Sequence, residues 1–339
     1  MIYKTIISGV LEFGSSKSYD KVVKMFEHRL ENYYKNDLFL NFEELFHEDN
    51  FLLSIPRTVT ESSIKNWKNT INLLEYLAQF ALAGKVSMFM VENGTIINES
   101  IIEPLCDKVA VQAFIKGRNL EKEKGKEQEA LNAFDKAIAK YQRHAYAYEK
   151  RGYIKLKLKD YDGAKTDFSK SININPNIPE PYVGQGKLQT IVKEYKAATF
   201  SFENASRNSI PLQPIYWQAK RMKAECHLKI KEFPEAIKEL KAFCNRRFKP
   251  DNPNYKHLDW AWFNYGKALL EIGETETALE IFNKSMERNE ISKVEIKPDF
   301  LLYRGIARQK IGKTGFVKDW TEAAEKGSKK ASKLLESVS

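Results

Sequence analysis

The stretch Ala145–Pro176 decides the fold of most of this chain, and it reads AYAYEKRGYIKLKLKDYDGAKTDFSKSININP. With its first residue counted as offset 1, a small residue at offset 8 lets one helix approach a second helix closely, and that second helix carries a matching small residue at offset 20. Aromatic residues at offsets 4 and 24 fill the space between the two helices, and a proline at offset 32 ends the second one. The positions concerned are Tyr148, Gly152, Leu158, Tyr161, Ala164, Phe168, Ser171 and Pro176.

The same pattern recurs along the chain and predicts six repeats. The small residues at offset 8 are 35, 34, 38, 42 and 39 residues apart, and the extra length falls in proline-bearing loops such as Ser209–Pro214 and Phe248–His257. The sixth repeat keeps Trp320 and Ala323 in packing positions, and residues 328–339 predict a polar capping helix. The offset 8 residues are Gly117, Gly152, Gly186, Ala224, Gly266 and Gly305; the second helices carry Ala130, Ala164, Ala198, Ala236 and Ala278, each followed four residues later by Phe134, Phe168, Phe202, Leu240 and Phe282.

These positions resemble the tetratricopeptide repeat (TPR), and the resemblance covers residues 109–339. It implies an all-α superhelical solenoid of about six repeats with a C-terminal capping helix, in which the first helix of each repeat, helix A, lines a concave surface. An unrelated antiparallel helical bundle is the alternative interpretation.

Residues 1–104 follow other periods and predict an α+β domain. The order β-α-β-β-α-β, plus a final hairpin strand, looks like a ferredoxin-like sandwich. Residues 39–49 could instead continue as helix. The predicted strands are Tyr3–Phe13, Phe39–Phe46, Phe51–Val59, Lys85–Val91 and Thr95–Ile102, and the predicted helices are Ser18–Lys35, with Ser18 as a candidate N-cap, and Ser62–Ala83; Asn93-Gly94 forms the last turn.

Charge is divided unevenly between these two parts. Residues 1–108 hold 11 basic and 15 acidic side chains, a net charge of −4, which leaves 44 basic and 30 acidic side chains, a net charge of +14, in the rest of the chain. Such asymmetry suggests an acidic partner for the repeats, which could be a nucleic acid, an acidic protein segment or the N-terminal domain itself.

Compartment and chemistry are constrained by what the sequence lacks. There is no signal-peptide pattern and no membrane-length apolar run, so we expect a cytoplasmic protein without a membrane partner. Three cysteines, Cys106, Cys226 and Cys244, fit buried residues in a reducing compartment rather than disulfides or a metal site.

We expect no enzyme, cofactor or metal site. The five histidines form no metal-ligating pattern and are expected on helix surfaces or in loops. Gly184 and Gly186 follow no strand and precede no GK[ST] motif, so they indicate helix packing rather than a phosphate loop. Glu43 and Glu44 belong to a charged turn or helix, with no apolar pocket to separate their pKa values.

The resemblance implies that offsets 2, 5, 9 and 12 of helix A face a concave groove. The predicted groove mixes cations with aromatic rings, which suits an acidic or aromatic peptide segment. The carboxylate clamp with which some TPR proteins hold chaperone tails is absent, because Phe114, Arg118, Lys150, Glu180 and Gly184 occupy its positions. The predicted partner-binding residues are Phe114, Arg118, Tyr146, Tyr153, Lys187, Arg221, Trp260, Phe263 and Lys267.

Two classes of function follow. The first is a non-enzymatic protein-interaction scaffold or adaptor, with the N-terminal domain as a second docking module or a lid. The alternative is an RNA- or ribosome-associated factor that uses the basic surface of the repeats. The N-terminal sheet itself lacks the glycine and spaced aromatic residues with which RNA-recognition strands stack bases, so we do not place RNA there.

Overall fold

The computed structural model describes residues 1–34, 37–41, 43–292 and 297–338. Contacts between residues divide the chain into two units, Met1–Leu188 and Gln189–Ser339. The first unit contains a β-sheet and the first helices of the repeat array, and the second contains the remaining helices.

The sheet has five strands in the order β2-β3-β1-β4-β5, and every neighbouring pair is antiparallel. This arrangement confirms the predicted ferredoxin-like strand order with one additional hairpin strand at the β4 edge. The strands are β1 (Ile2–Glu12), β2 (Phe46–His47), β3 (Leu52–Ser63), β4 (Ala83–Glu92) and β5 (Thr95–Ile102).

Two helices, α1 (Ser16–Arg29) and α2 (Ile64–Ala78), pack on the sheet, and Leu30–Tyr34 continues α1 as a π-helical turn. Both helices begin at a serine cap, which satisfies a backbone N–H that would otherwise lack a partner. The predicted cap at Ser18 is wrong: Ser15 is the cap, and its hydroxyl accepts a hydrogen bond from the Ser18 N–H at 3.3 Å. The core between the helices and the sheet contains Ile7, Leu11, Val22, Phe26, Leu53, Trp67, Leu74 and Met88.

The predicted strand Phe39–Phe46 is also wrong over most of its length. Glu43–Leu45 and Glu48–Asn50 form short 3-10 turns that flank the two-residue β2, so the helical alternative for residues 39–49 does not hold either; Phe42 lies outside the described residues. Phe39, Leu40 and Leu45 pack against the core without forming a ladder, so their apolar character reflects burial rather than strand pairing.

In the part of the chain that the structure describes, twelve more helices follow one another in sequence as six pairs, and a short last helix, α15 (Lys329–Glu336), ends the series, as the repeat pattern predicts. The first helices of the pairs, the A helices, are α3 (Val109–Glu121), α5 (Ala145–Lys157), α7 (Pro179–Ile191), α9 (Pro214–Lys229), α11 (Leu258–Glu271) and α13 (Pro298–Lys310). The second helices, the B helices, are α4 (Glu127–Lys140), α6 (Tyr161–Ile174), α8 (Tyr195–Arg207), α10 (Phe233–Asn245), α12 (Thr275–Ser292) and α14 (Phe316–Glu325).

The small residues at offset 8 pack as the sequence predicts. A Cβ added to Gly152 would lie 2.8 Å from the buried ring of Phe168, and one added to Gly266 would lie 2.6 Å from the ring of Phe282. Each ring belongs to the B helix of the same repeat, so the missing side chain sets how closely helix A and helix B approach.

Within the residues that the structure describes, no helix is both long and apolar enough to cross a lipid bilayer.

Candidate functional site

The nine predicted partner-binding residues are distributed over five A helices. Phe114, Arg118, Tyr146, Tyr153 and Lys187 lie on α3, α5 and α7 in the first unit, whereas Arg221, Trp260, Phe263 and Lys267 lie on α9 and α11 in the second. All nine are half-buried. We call the surface formed by offsets 2, 5, 9 and 12 of helix A the helix A face, and describe it separately in each unit.

We call the five-stranded sheet with α1 and α2, together with Glu103 directly after β5, the sheet domain. In the first unit, it packs against the helix A face. The Nζ atom of Lys85, on β4, lies 5.1 Å from the ring centroid of Tyr146 and 3.4 Å from Oε1 of Glu180. Tyr146 and Glu180 both stand at offset 2 of their repeats. A single sheet lysine therefore contacts the helix A face of two successive repeats.

Arg118 makes the next contact with the sheet domain. Its Nη1 donates a hydrogen bond to Oε2 of Glu103, directly after β5, at 2.5 Å, and its guanidinium lies 5.2 Å from the ring of Phe114. Phe114 in turn packs against Phe134 and against His144 at ring distances of 5.9 and 4.5 Å. This arginine and ring therefore already have partners within the first unit.

A third contact forms at the end of β1. The hydroxyl of Tyr141 donates to Oε2 of Glu12 at 2.6 Å, and Arg143 lies 3.6 Å from the same oxygen. Glu12 is buried, and burial raises the pKa of its carboxyl despite the tyrosine and the arginine. Two carboxylates of the sheet domain, Glu12 and Glu103, therefore contact arginines of the repeats, whereas Lys85 contacts a carboxylate of the repeats.

Tyr153 and Lys187 complete the first-unit set. The Tyr153 hydroxyl donates to the Glu180 carbonyl oxygen at 2.7 Å, its ring packs edge-on against Phe168, and Nζ of Lys187 lies 5.4 Å from that ring. Tyr153 therefore packs between neighbouring helices and contacts the backbone of α7.

A buried carboxyl lies among these groups. Glu149, at offset 5 on α5, is 1% exposed. Its Oε1 lies 3.6 Å from Nζ of Lys150 and has no hydrogen-bond partner within the described parts of the chain. Burial raises the pKa of Glu149 to about 7, Lys150 and Lys85 oppose that rise, and Glu180 adds to it. The prediction from sequence included no titrating group here.

In the second unit, Arg221 lies under an indole ring. Its guanidinium is 5.9 Å from the ring of Trp260 and 3.5 Å from Oε2 of Glu225. Nε of Arg221 is buried and, among the described residues, has no hydrogen-bond acceptor. Burial lowers the pKa of Arg221, and burial together with the cations Arg221 and Lys256 lowers the pKa of His257. The charge of Arg221 is thus partly desolvated, and the nearby Glu225 carboxylate opposes the lowering of its pKa.

A second group of cations and rings follows on α11 and α13. Nζ of Lys267 lies 5.5 Å from the ring of Phe263 and 4.9 Å from that of Tyr303, and Nζ of Lys330 lies 5.2 Å from the ring of Tyr303. Phe263 and Tyr303 contact each other with ring centroids 5.5 Å apart. Two of the predicted residues are thus brought together, with two that the sequence analysis did not name.

Comparison with known proteins supports the repeat architecture of the helices. A family model described as tetratricopeptide repeat matches residues 145–178 and 261–291, which are the repeats of α5–α6 and α11–α12. Two helix pairs therefore match the tetratricopeptide repeat, and the whole array has a TPR-like arrangement. A comparison with curated protein sequences found no match.

Two solved structures resemble the helical array. YrrB, described as a TPR protein with an unusual peptide-binding site, has 17% sequence identity and a TM-score of 0.52 over 61% of this chain and 99% of its own. PilF of Pseudomonas aeruginosa has 11% identity and a TM-score of 0.50 over 69% of this chain and 99% of its own. At these identities the similarity concerns the fold.

Three of the helix pairs contain a buried group of charged side chains that was not predicted from the sequence. Asp167, Glu239 and Asp319, on the B helices α6, α10 and α14, are 1–2% exposed, and each is paired with two cations of the preceding A helix. The signal was available, because each acid follows a cation by 15 or 16 residues. The pairs are Asp167 with Arg151 and Lys155, Glu239 with Lys220 and Lys223, and Asp319 with Arg304 and Arg308.

The histidines and cysteines differ in part from expectation. His144 and His227 are buried rather than exposed: Nδ1 of His144 accepts from the Ala147 N–H at 3.2 Å as the cap of α5, and Nδ1 of His227 lies 2.7 Å from Oε2 of Glu232. Cys226 and Cys244 are buried as expected, whereas Cys106 is half-buried. No group of three potential metal-ligating side chains occurs in the described parts of the chain.

Proposed function

We propose that this protein is a non-enzymatic scaffold of the cytoplasm that holds a peptide or protein segment on the helix A face of its TPR repeats. The observation that carries the proposal is the placement of cations over aromatic rings in the second unit, with Arg221 at Trp260 and Lys267 at Phe263 and Tyr303. Rings provide apolar area for anchoring, and the cations beside them provide charge complementarity, which is the combination typical of binding hot spots.

The partner is an acidic segment that carries aromatic or aliphatic side chains. The buried Nε of Arg221 has no acceptor among the residues that the structure describes, and an incoming carboxylate or carbonyl oxygen would satisfy it. In the first unit, the sheet domain covers the corresponding face through Lys85 and Glu103, so we assign the partner to the second unit.

Capture of partners from native cytosol tests this proposal. The tagged full-length protein is compared with the double variant Arg221→Gln and Lys267→Gln and with a matched control, Lys238→Gln and Lys284→Gln, which removes two exposed lysines of B helices. We expect recovery of a protein partner to fall by about tenfold or more in the first variant and to stay unchanged in the control, because a binding hot spot contributes roughly 2 kcal/mol or more.

Nuclease and salt separate the protein partner from the RNA alternative. A protein partner survives nuclease treatment, whereas an RNA or ribosomal partner is lost on nuclease and on moderately raised salt because binding releases phosphate counterions. Equal recovery of the partner by the double variant and by its control would contradict the assignment of partner binding to the helix A face.

A further inference from the structure

The sheet domain carries a second concentration of positive charge, far in sequence from the helix A face. A cleft of about 700 Å³ lies along α1 and next to α2, and Lys17, Lys21, Lys24 and His28 line it. Their spacing of three and four residues places all four on one face of α1. All four are exposed, and among the described side chains none forms an ion pair with a carboxylate. We call this the α1 cleft.

This group of basic side chains lies in a segment, residues 1–108, that is acidic overall. Residues 1–108 contain 15 acidic side chains, yet Asp20 is the one acid among the described residues that line the α1 cleft, and it accepts a hydrogen bond from the Ser16 hydroxyl at 3.2 Å. Because unpaired like charges on one helix face repel one another, their presence costs stability unless an anion neutralises them.

Aromatic side chains border the cations. The guanidinium of Arg29 lies 3.4 Å from the ring centroid of Tyr76 and 5.1 Å from that of Tyr33, and Nζ of Lys21 lies 5.4 Å from the ring of Phe80. Tyr33 is 65% exposed. A guanidinium that stacks on a ring keeps its N–H edge available to a carboxylate, while the neighbouring rings contact apolar atoms of the same ligand.

The dimensions favour a short ligand. Lys17 and His28 are separated by about 16 Å along the helix axis, a distance that about five residues of extended polypeptide cover. A long polyanion such as RNA would reach beyond this patch onto the rest of residues 1–108, a segment whose total net charge is −4 even with the α1 cations included, and would be repelled there.

We propose that the α1 cleft binds a short acidic polypeptide segment, as a site separate from the helix A face. Its carboxylates pair with the α1 lysines and Arg29, and one of its apolar side chains rests against Tyr33 or Tyr76. The site gives the scaffold a second attachment point, so one partner with two acidic segments would bind with higher avidity than either site provides.

The test uses full-length protein that already carries Arg221→Gln and Lys267→Gln, so that binding at the helix A face does not contribute. The probe is a short fluorescent peptide of consecutive glutamates with one phenylalanine, titrated at low salt. Further substitution of Lys21→Glu and Lys24→Glu should weaken binding by about tenfold or more, since two reversed charges acting at about 0.7 kcal/mol each together correspond to one factor of ten. The matched control, Lys4→Glu and Lys68→Glu, reverses two exposed charges elsewhere in the sheet domain and should leave binding unchanged.

Two further probes distinguish the other possible occupants. Inorganic phosphate should not compete with the peptide beyond its effect as added salt, and a single-stranded oligonucleotide of equal charge should bind more weakly than the peptide. Unchanged peptide binding after the Lys21 and Lys24 reversals would overturn the site, and tighter lysine-dependent binding of phosphate or oligonucleotide would overturn the assignment to a polypeptide. Neither result depends on whether Arg221 and Lys267 hold a partner in the cell.

Discussion

At the scale of single residues, the repeats depend on a missing side chain. A Cβ at Gly152 would lie 2.8 Å from Cε1 of Phe168 and 3.3 Å from Cβ of Asp167, both on α6, and Phe168 is fully buried. We expect Gly152→Ala to lower the free energy of unfolding by about 1–2 kcal/mol, since overpacking costs roughly 1–3 kcal/mol and the gain in helix propensity of up to about 1 kcal/mol offsets only part of it. Denaturant titration measures the change.

The clash also predicts a second-site effect. Replacing Phe168→Leu shortens the side chain that meets the new methyl group, so the double variant should lose less stability than the sum of the two single variants. Strict additivity would show that Gly152 does not set the spacing of α5 and α6.

Another residue-scale prediction concerns pH. Burial raises the pKa of Glu149 to about 7, with Lys150, Lys85, Glu180 and Glu121 as the charged groups around it. A raised folded-state pKa means that the folded protein binds this proton more tightly than the unfolded chain, so the contribution of Glu149 to stability falls as pH rises from about 4.5 to about 7. We expect Glu149→Gln to remove this decline, which amounts to at most about 3 kcal/mol.

Unfolding curves of wild type and Glu149→Gln at pH 5 and pH 8 measure this difference. The variant should gain stability relative to wild type at the higher pH, and a constant difference between the two proteins across this range would contradict the assignment.

At the scale of helices, three buried acids of B helices, Asp167, Glu239 and Asp319, each pair with two cations of their A helix. Asp167 is 1% exposed and accepts from Nε and Nη2 of Arg151 at 2.8 and 2.6 Å, with Nζ of Lys155 at 2.9 Å. Removing one partner of a buried pair leaves a charge that water solvates only in part. We expect Asp167→Asn to cost about 2–3 kcal/mol, below the full buried-pair range because both cations are partly exposed.

The same arginine provides a matched control for this prediction. Asp135 also pairs with Arg151, at 2.7 Å, but its side chain is 56% exposed. Asp135→Asn should therefore cost less than about 1 kcal/mol, as exposed pairs do. Chemical denaturation of both variants separates the two values, and equal losses would mean that burial does not decide the strength of these pairs.

Helix packing is also where sequence was the best guide to structure. Gly152 and Phe168 lie on adjacent helices at offsets that recur along the chain. A glycine at offset 8 meets a ring of the following helix in four repeats, at Gly117, Gly152, Gly266 and Gly305. The structure of the region before β2 could not be predicted in this way. Phe39 and Leu40 are partly buried against the core without regular secondary structure, and an apolar run alone does not distinguish a strand from a packed loop. The contact of Lys85 with Glu180 joins residues 95 positions apart, and no periodicity marks which surface of one domain meets another.

At the scale of the whole molecule, some of the opposite charges of the two parts of the chain pair with each other within the first unit. Glu12 and Glu103 of the acidic sheet domain pair with Arg143 and Arg118 of the basic repeats. The N-terminal domain is thus one acidic partner of the repeats, as the charge division had suggested among its three possibilities. Lys85 is the exception, because here a cation of the sheet domain pairs with a carboxylate of the repeats, Glu180. Reversing the charge of Lys85 therefore tests whether this ion pair holds the sheet domain against the repeats.

Reversing Lys85→Glu places two carboxylates about where the 3.4 Å pair now stands and removes the cation from the ring of Tyr146. We expect faster hydrogen exchange in α5 and easier proteolysis of residues 103–108, because like charges at this contact weaken the attachment of the sheet to the repeats. Adding Glu180→Lys restores opposite charges and should recover most of the protection, as a double-mutant cycle requires of a direct contact. If the double variant exchanges as fast as Lys85→Glu alone, this ion pair does not hold the sheet domain, and the contacts of Arg118 and Tyr141 must supply the attachment.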